Sequence, residues 1–150
     1  MRSRLRTAGC IACNAGVRPH IRVIASGKIN TGFQIATKVA LGADMCSAAR
    51  AMMFAIGCIQ AQQCHTGKCP TGVTTQDPWR QRALVVPDKA ERVASFHRET
   101  VKALAELVAA AGLSDPKDLS PHHFMHRAAA DRVVTFAEQY HIMAPGELLT

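Results

Sequence analysis

The order strand–helix–strand–helix near the start of the chain restricts its fold more than any other feature. Residues 21–26 are short, rich in β-branched side chains and closed by Gly27, the pattern of a strand. Thr31 and Gly32 then open a helical stretch with Phe33, Ile35, Ala36, Val39 and Ala40 at helix spacing, and Gly42 stands where a terminating glycine belongs. A second strand is expected at 44–48 and a second helix from about Arg50 to Gln62. Short βα and αβ connections build parallel sheets, either open and doubly wound or closed into a (β/α)₈ barrel. Parallel sheets need both faces and both edges covered, and two strands cannot supply that cover. The unit is therefore expected to be the end of something larger.

The cysteines point to chemistry. Cys58, Cys64 and Cys69 lie within twelve residues, and Pro70 follows the last. Thiolate sulfur donates well to soft metals, and a single loop can deliver several such ligands. The spacing matches neither paired zinc-ribbon cysteines nor the four-cysteine ferredoxin run. Three ligands suit a three-iron cluster, and Pro70 ends the loop as in ferredoxins. A zinc site with His65 as fourth ligand is the alternative, although adjacent Cys64 and His65 would need an irregular backbone to reach one ion. A loop without metal also stays open. Cys10 and Cys13 form an isolated C-x-x-C, read as helix packing ahead of a redox pair; Cys46 reads as a small buried hydrophobe.

Composition bounds the rest. The 150 residues are 48% hydrophobic, enough for one modest domain, and no apolar run approaches the roughly 18 residues that span a membrane. Without a secretory signal, the six cysteines imply reduced thiols and a cytoplasmic setting. The formal charge is +7, and no acidic residue precedes Asp44. Arg2, Arg4, Arg6, Arg18 and Arg22 are not interleaved with aromatics and run into a strand. A phosphate-binding role or a solvated helix surface fits them better than a transit peptide or a nucleic-acid arm.

Residues 1–78 and 79–150 read as two parts. Residues 76–87 form an extended connector anchored by Trp79. Asp88 and Glu91 have capping-box spacing ahead of a long helix carrying Val93, Phe96, Val101, Leu104, Leu107 and Val108, ending near Gly112. Shorter helices are expected at 120–126 and 131–140, the first placing His122 and His126 on one face. His97, His122, His123, His126 and His141 read as surface histidines. Candidate ligand positions follow each strand: Ser26, Gly27 and Lys28 after the first, Ala49 and Arg50 after the second. Ligands of parallel α/β folds bind at the carboxyl ends of strands, where a glycine and a helix N-terminus can receive a phosphate and an arginine can cap it. A turn with no ligand is an equal reading of the same residues.

The runs from Ile24 to Ile29, Leu41 to Asp44 and Gly57 to Gln62, with Cys64-His65-Thr66, Cys69-Pro70-Thr71-Gly72-Val73 and Thr75-Gln76-Asp77-Pro78, resemble the FMN-binding synthase domain of glutamate synthase. The resemblance is greatest to stand-alone bacterial FMN-binding glutamate synthase family proteins and covers roughly 21–149. It implies a (β/α)₈ barrel of which the two strands are the seventh and eighth, followed by the cysteine loop and a helical tail. It implies an FMN phosphate at Ser26, Gly27, Lys28, Ala49 and Arg50, and a [3Fe–4S] cluster on Cys58, Cys64 and Cys69. The implied reaction is reductive formation of L-glutamate from 2-oxoglutarate and ammonia, the ammonia drawn from glutamine. No catalytic residue is assigned. The first six βα units and a glutaminase domain are not in the sequence, and residues 1–19 fit the family poorly. A C-terminal fragment, inactive alone, is therefore expected. Its partners would be the missing barrel portion or another synthase subunit, and an electron donor such as ferredoxin or an NAD(P)H-linked subunit, with no nucleic acid or membrane. A zinc-binding or partner-docking module is the alternative function, and a remnant unable to fold alone is the third.

Overall fold

The computed structural model describes residues 16–140. Cys10, Cys13, Arg2, Arg4, Arg6 and His141 lie outside that range. A 3₁₀ turn, Arg18–His20, leads into β1 (Ile24–Ser26), α1 (Gly32–Ala40), β2 (Met45–Ser47) and α2 (Ala49–Ala55). After the cysteine loop come α3 (Pro78–Gln81), α4 (Val86–Ala110) and 3₁₀ turns at Pro116–Asp118 and Pro121–His123. Strands β3 (Met125–Arg127) and β4 (Val133–Thr135) and the short helix α5 (Phe136–Gln139) complete the order. Among the described residues no helix is long and apolar enough to cross a membrane.

The first four elements form where the residue pattern puts them. Strands β1 and β2 pair in parallel, with Ile24 opposite Met45, Ala25 opposite Cys46 and Ser26 opposite Ser47. Thr31 caps α1, its hydroxyl accepting the Gln34 N–H at 3.3 Å. The helix closes with crossed bonds, Gly42 N–H to Val39 O at 2.8 Å and Ala43 N–H to Lys38 O at 3.1 Å, a Schellman end. Helix α2 stops the same way, with Gly57 N–H to Phe54 O at 2.9 Å and Cys58 N–H to Met53 O at 3.0 Å. This corrects the expected end at Gln62: Gly57, at φ +107°, supplies the left-handed residue that a Schellman end demands.

Arg18 and Arg22 have a structural task rather than a helix-surface one. Asp44 accepts the Val23 N–H at 2.7 Å, pairs with Arg18 at 2.9 Å and stands 3.8 Å from Arg22. Arg18 also donates to Gly42 O at 3.0 Å. The approach to β1 is thereby tied to the α1–β2 turn. The Val23 N–H and the Arg18 guanidinium hold the Asp44 carboxyl below the usual carboxylate range.

Helix α4 covers the unit. A side chain at Gly32 would stand 2.6 Å from Leu104 N and 3.0 Å from Thr100 O, so α1 begins in backbone contact with α4. One apolar cluster joins Ala36 and Ala40 of α1, Val108 of α4, and Leu119, Phe124 and Phe136 from the tail. Phe33, Phe124, Phe136 and Tyr140 form a chain of rings with centroids 5.7, 5.8 and 5.6 Å apart. A smaller cluster of Ala25, Ile29 and Ala43 lies beneath the sheet.

The tail departs from the expected helices. Helix α4 begins at Val86 with Val85 as N-cap, and no side chain caps it. Asp88 is thus not the N-cap of a box with Glu91; it sits in the first turn, 3.4 Å from Lys89. Proline 87 fits that turn because its missing N–H has no helical partner to lose. The connector holds a helical turn, α3, capped by Asp77, and Trp79 is 73% exposed with Arg82 over its ring at 4.7 Å, so it anchors nothing among the described residues. Residues 125–135 form an antiparallel hairpin instead of helix. His122 and His126 therefore lie on a 3₁₀ turn and a strand, not on one helix face. The Val133-Val134-Thr135 run favours extended backbone, and Thr135 with Glu138 makes the capping box that starts α5.

Candidate cofactor site

Two features carry the candidate residues: the paired strand ends and the cysteine loop that follows α2. The register of β1 against β2 brings Ser26 beside Ser47, so the turn at Gly27 and Lys28 and the start of α2 at Ala49 and Arg50 leave the same end of the sheet. Gly27 (φ +87°) and Lys28 (φ +54°) are consecutive left-handed residues. Lysine carries a Cβ that disfavours this conformation, so the sharp turn there is held against a local cost. Ser26, Lys28, Ala49 and Arg50 are exposed and Gly27 half-buried. The N-cap of α2 is Ala48, which has no side chain able to cap the first-turn N–H groups. Ser47 belongs to the same strand end; the parallel register identifies it, whereas residue type alone did not.

The cysteine loop is a series of turns. Left-handed residues at Gln60, Gln62 and Gly67 reverse the chain repeatedly between Cys58 and Cys69. The Thr66 hydroxyl donates to Gln63 O at 2.9 Å and accepts the Lys68 N–H at 3.2 Å. Thr75 braces the loop from its far side, its hydroxyl donating to Gly67 O, while Gln81 of α3 donates to Thr75 O at 2.8 Å and Arg80 to Lys68 O at 3.4 Å. All three thiols are free and line one narrow cleft, with a cavity volume of about 10 Å³, together with Thr71, Val73 and Thr74. Cys58 is half-buried, Cys64 exposed and Cys69 buried.

Cys69 is the most prepared donor. The Thr71 hydroxyl stands 3.5 Å from its sulfur, and that hydrogen bond, with the Thr74 N–H next, brings the thiol down to about 6. The thiolate, the form that binds metal, is therefore its main form at neutral pH. The Thr74 hydroxyl oxygen is buried without a hydrogen-bond partner of normal geometry. Burial instead pushes the Cys46 thiol up, against the pull of Lys38, which suits a packing residue.

Among the described residues no three His, Cys, Asp or Glu side chains converge closely enough to hold one metal ion. Four donors around a single zinc, with His65 completing the set, are thus not assembled. The three thiols come from separate turns that line one narrow cleft, and sulfur donors of this kind suit soft metals. Thr71 and Thr74 were missed in the sequence because they are not ligand types; their signal is position, two and five residues past a cysteine.

Residues 5–114 match the conserved region in glutamate synthase, and the chain belongs to the glutamate synthase family. It is 40% identical over 126 residues to the glutamate synthase large subunit-like protein YerD of Bacillus subtilis, covering 84% of this chain and 24% of that protein. Against the archaeal glutamate synthase [NADPH] of Methanocaldococcus jannaschii, identity is 36% over 104 residues, covering 69% of this chain and 20% of the relative. The ferredoxin-dependent glutamate synthase of Cyanidium caldarium is 31% identical over 124 residues, 80% of this chain and 8% of its own length. The chain thus spans about a quarter or less of each of these relatives.

Proposed function

We propose that this chain is the cluster-bearing C-terminal part of a glutamate synthase-type oxidoreductase, the last two βα units of a (β/α)₈ barrel with its cysteine loop and tail. The observation that carries the reading is the cleft shared by Cys58, Cys64 and Cys69 directly after a βαβα unit. In this reading the three thiolates hold a [3Fe–4S] cluster, and Thr71 keeps Cys69 ionised for it. Ser26, Gly27, Lys28, Ala49 and Arg50 receive the phosphate of FMN, the cationic side chains matching its charge. Bound there, cluster and flavin would supply the electrons that reduce the imine of 2-oxoglutarate and ammonia to L-glutamate.

The exposed sheet supports a larger barrel. Ile24 and Met45 are opposite one another and 58% and 50% exposed, and among the described residues both strands keep an open edge. Apolar side chains on a parallel sheet need a cover, and further strands with their layer of barrel side chains would provide it. The flavin ring and 2-oxoglutarate would then be held by residues of that other portion. The remaining barrel and an electron donor, ferredoxin or an NAD(P)H-linked subunit, are the partners this reading requires.

Anaerobic reconstitution of the full chain tests it. A brown protein with about three irons per chain and a three-iron EPR signal when oxidised is expected. Cys58→Ser should abolish that signal. Zinc at one per chain with no iron uptake, or a Cys58→Ser protein that loads like wild type, would overturn it.

A further inference from the structure

The face of α4 turned toward the end of α2 carries two cations. Lys89 Nζ stands 3.7 Å, and Arg92 Nη1 3.9 Å, from where a Cβ would lie on Gly57, the residue before Cys58. Three positions apart on one helix, the two side chains share a face. Lys89 is held in place, its side chain only 19% exposed beside Ile56 and Val93. Asp88, 3.4 Å from Lys89, offsets part of its charge, while Arg92 makes no ion pair among the described residues. Consecutive Cα atoms are about 3.8 Å apart, so both cations act within the screening length of about 10 Å from the Cys58 backbone.

Nothing in the packing of α4 requires charge at these two positions. Lysine stems cover apolar surface well, but a methionine would cover it equally. What charge adds is stabilisation of negative charge nearby. We infer that Lys89 and Arg92 are charge-compensating residues that favour the reduced state of the cluster held at Cys58. The inference rests on the proposed cluster. Reduction adds one electron, and with it one unit of negative charge, to a group already ligated by three thiolates. Cations at this distance lower the cost of that charge and so raise the midpoint potential.

The test is a dithionite titration of the reconstituted full chain, followed through the EPR signal of the oxidised cluster with iron per chain measured alongside. In Lys89→Met and Arg92→Met iron content should be unchanged, and each midpoint should fall by about a tenfold change in the reduction equilibrium, 59 mV for a one-electron couple. Lys89→Arg and Arg92→Lys should keep the wild-type midpoint. So should Lys102→Met, about 20 Å along α4 from Lys89 and about 15 Å from Arg92. An unmoved midpoint in both neutralised variants, or an equal fall in Lys102→Met, would overturn the inference. Neutralised variants that fail to load would make the two residues scaffolding, which also overturns it. A wild-type chain that takes up no three-iron cluster removes the proposed function, and this inference with it.

Discussion

The βα unit with its α4 cover and the cysteine loop are neighbours in the chain built by opposite means. The unit is held by burial: α1 meets α4 backbone to backbone at Gly32, and the apolar cluster from Ala36 to Phe136 closes over the contact. The loop buries little besides Cys69, Gly72 and Thr75, and its shape comes from left-handed turns and short-range hydrogen bonds. A packed unit draws its stability from burial, whereas a loop of turns presents donors whose final arrangement a ligand can set. Core substitutions should therefore unfold the chain, and loop substitutions should change chemistry while leaving the fold.

The largest effect is expected in the ring chain. Phe136→Ala removes the residue that touches both Phe124 and Tyr140 and should cost about 3–5 kcal/mol in denaturant unfolding followed by circular dichroism. Gly32→Val should follow at about 1–3 kcal/mol, since two backbones must separate to admit the side chain. Cys58→Ser, by contrast, should change the stability of the metal-free chain by less than about 0.5 kcal/mol. A Cys58→Ser loss as large as that of Gly32→Val would break the distinction between the two regions.

Asp44 belongs to the packed unit but is held by charge. Its carboxyl is kept low by the Val23 N–H and Arg18, so its contribution is fully present above the ordinary carboxylate value of about 3.9 and is lost as pH falls below it. Asp44→Asn should cost about 1 kcal/mol at pH 7, discounted because the pair is partly exposed, and should flatten the acid limb of the stability profile below the ordinary carboxylate value. An acid limb identical to wild type would place the tie at β1 elsewhere.

How far these regions could be read from residues follows the same division. The βαβα order was legible because its signals are local: β-branched runs, the Thr31 cap, and glycine at the Schellman positions. Cys58, Cys64 and Cys69 were legible as a cluster by spacing, and the structure sets them on one cleft. The hairpin was not, because Val133, Val134, Phe136 and Ala137 satisfy a helical spacing as well as an extended one over so short a run. Pairing with β3 across the turn and burial of Val134 decide the matter, and neither shows in the spacing of residues 133–137 alone. The premature stop of α2 was available in the sequence: Gly57 carries the same signal as Gly42 but was followed by residues with good helix propensity.

The smallest effect separates donor preparation from stability inside the loop. Thr71→Ala removes the hydroxyl that does most to hold the Cys69 thiol at about 6. In the metal-free chain the thiol should then titrate closer to its ordinary value of about 8.5, measured by thiolate absorbance or the pH dependence of alkylation. A depressed thiol also makes the folded state gain stability as pH rises through the interval from about 6 to 8.5, and that gain should shrink in Thr71→Ala. Thr66→Ala, at a loop turn whose hydroxyl bonds only to Gln63 and Lys68, should loosen the loop without moving the thiol. If both substitutions shift the titration equally, the low value reflects the loop's shape as a whole, and Thr71 has no particular part in readying Cys69.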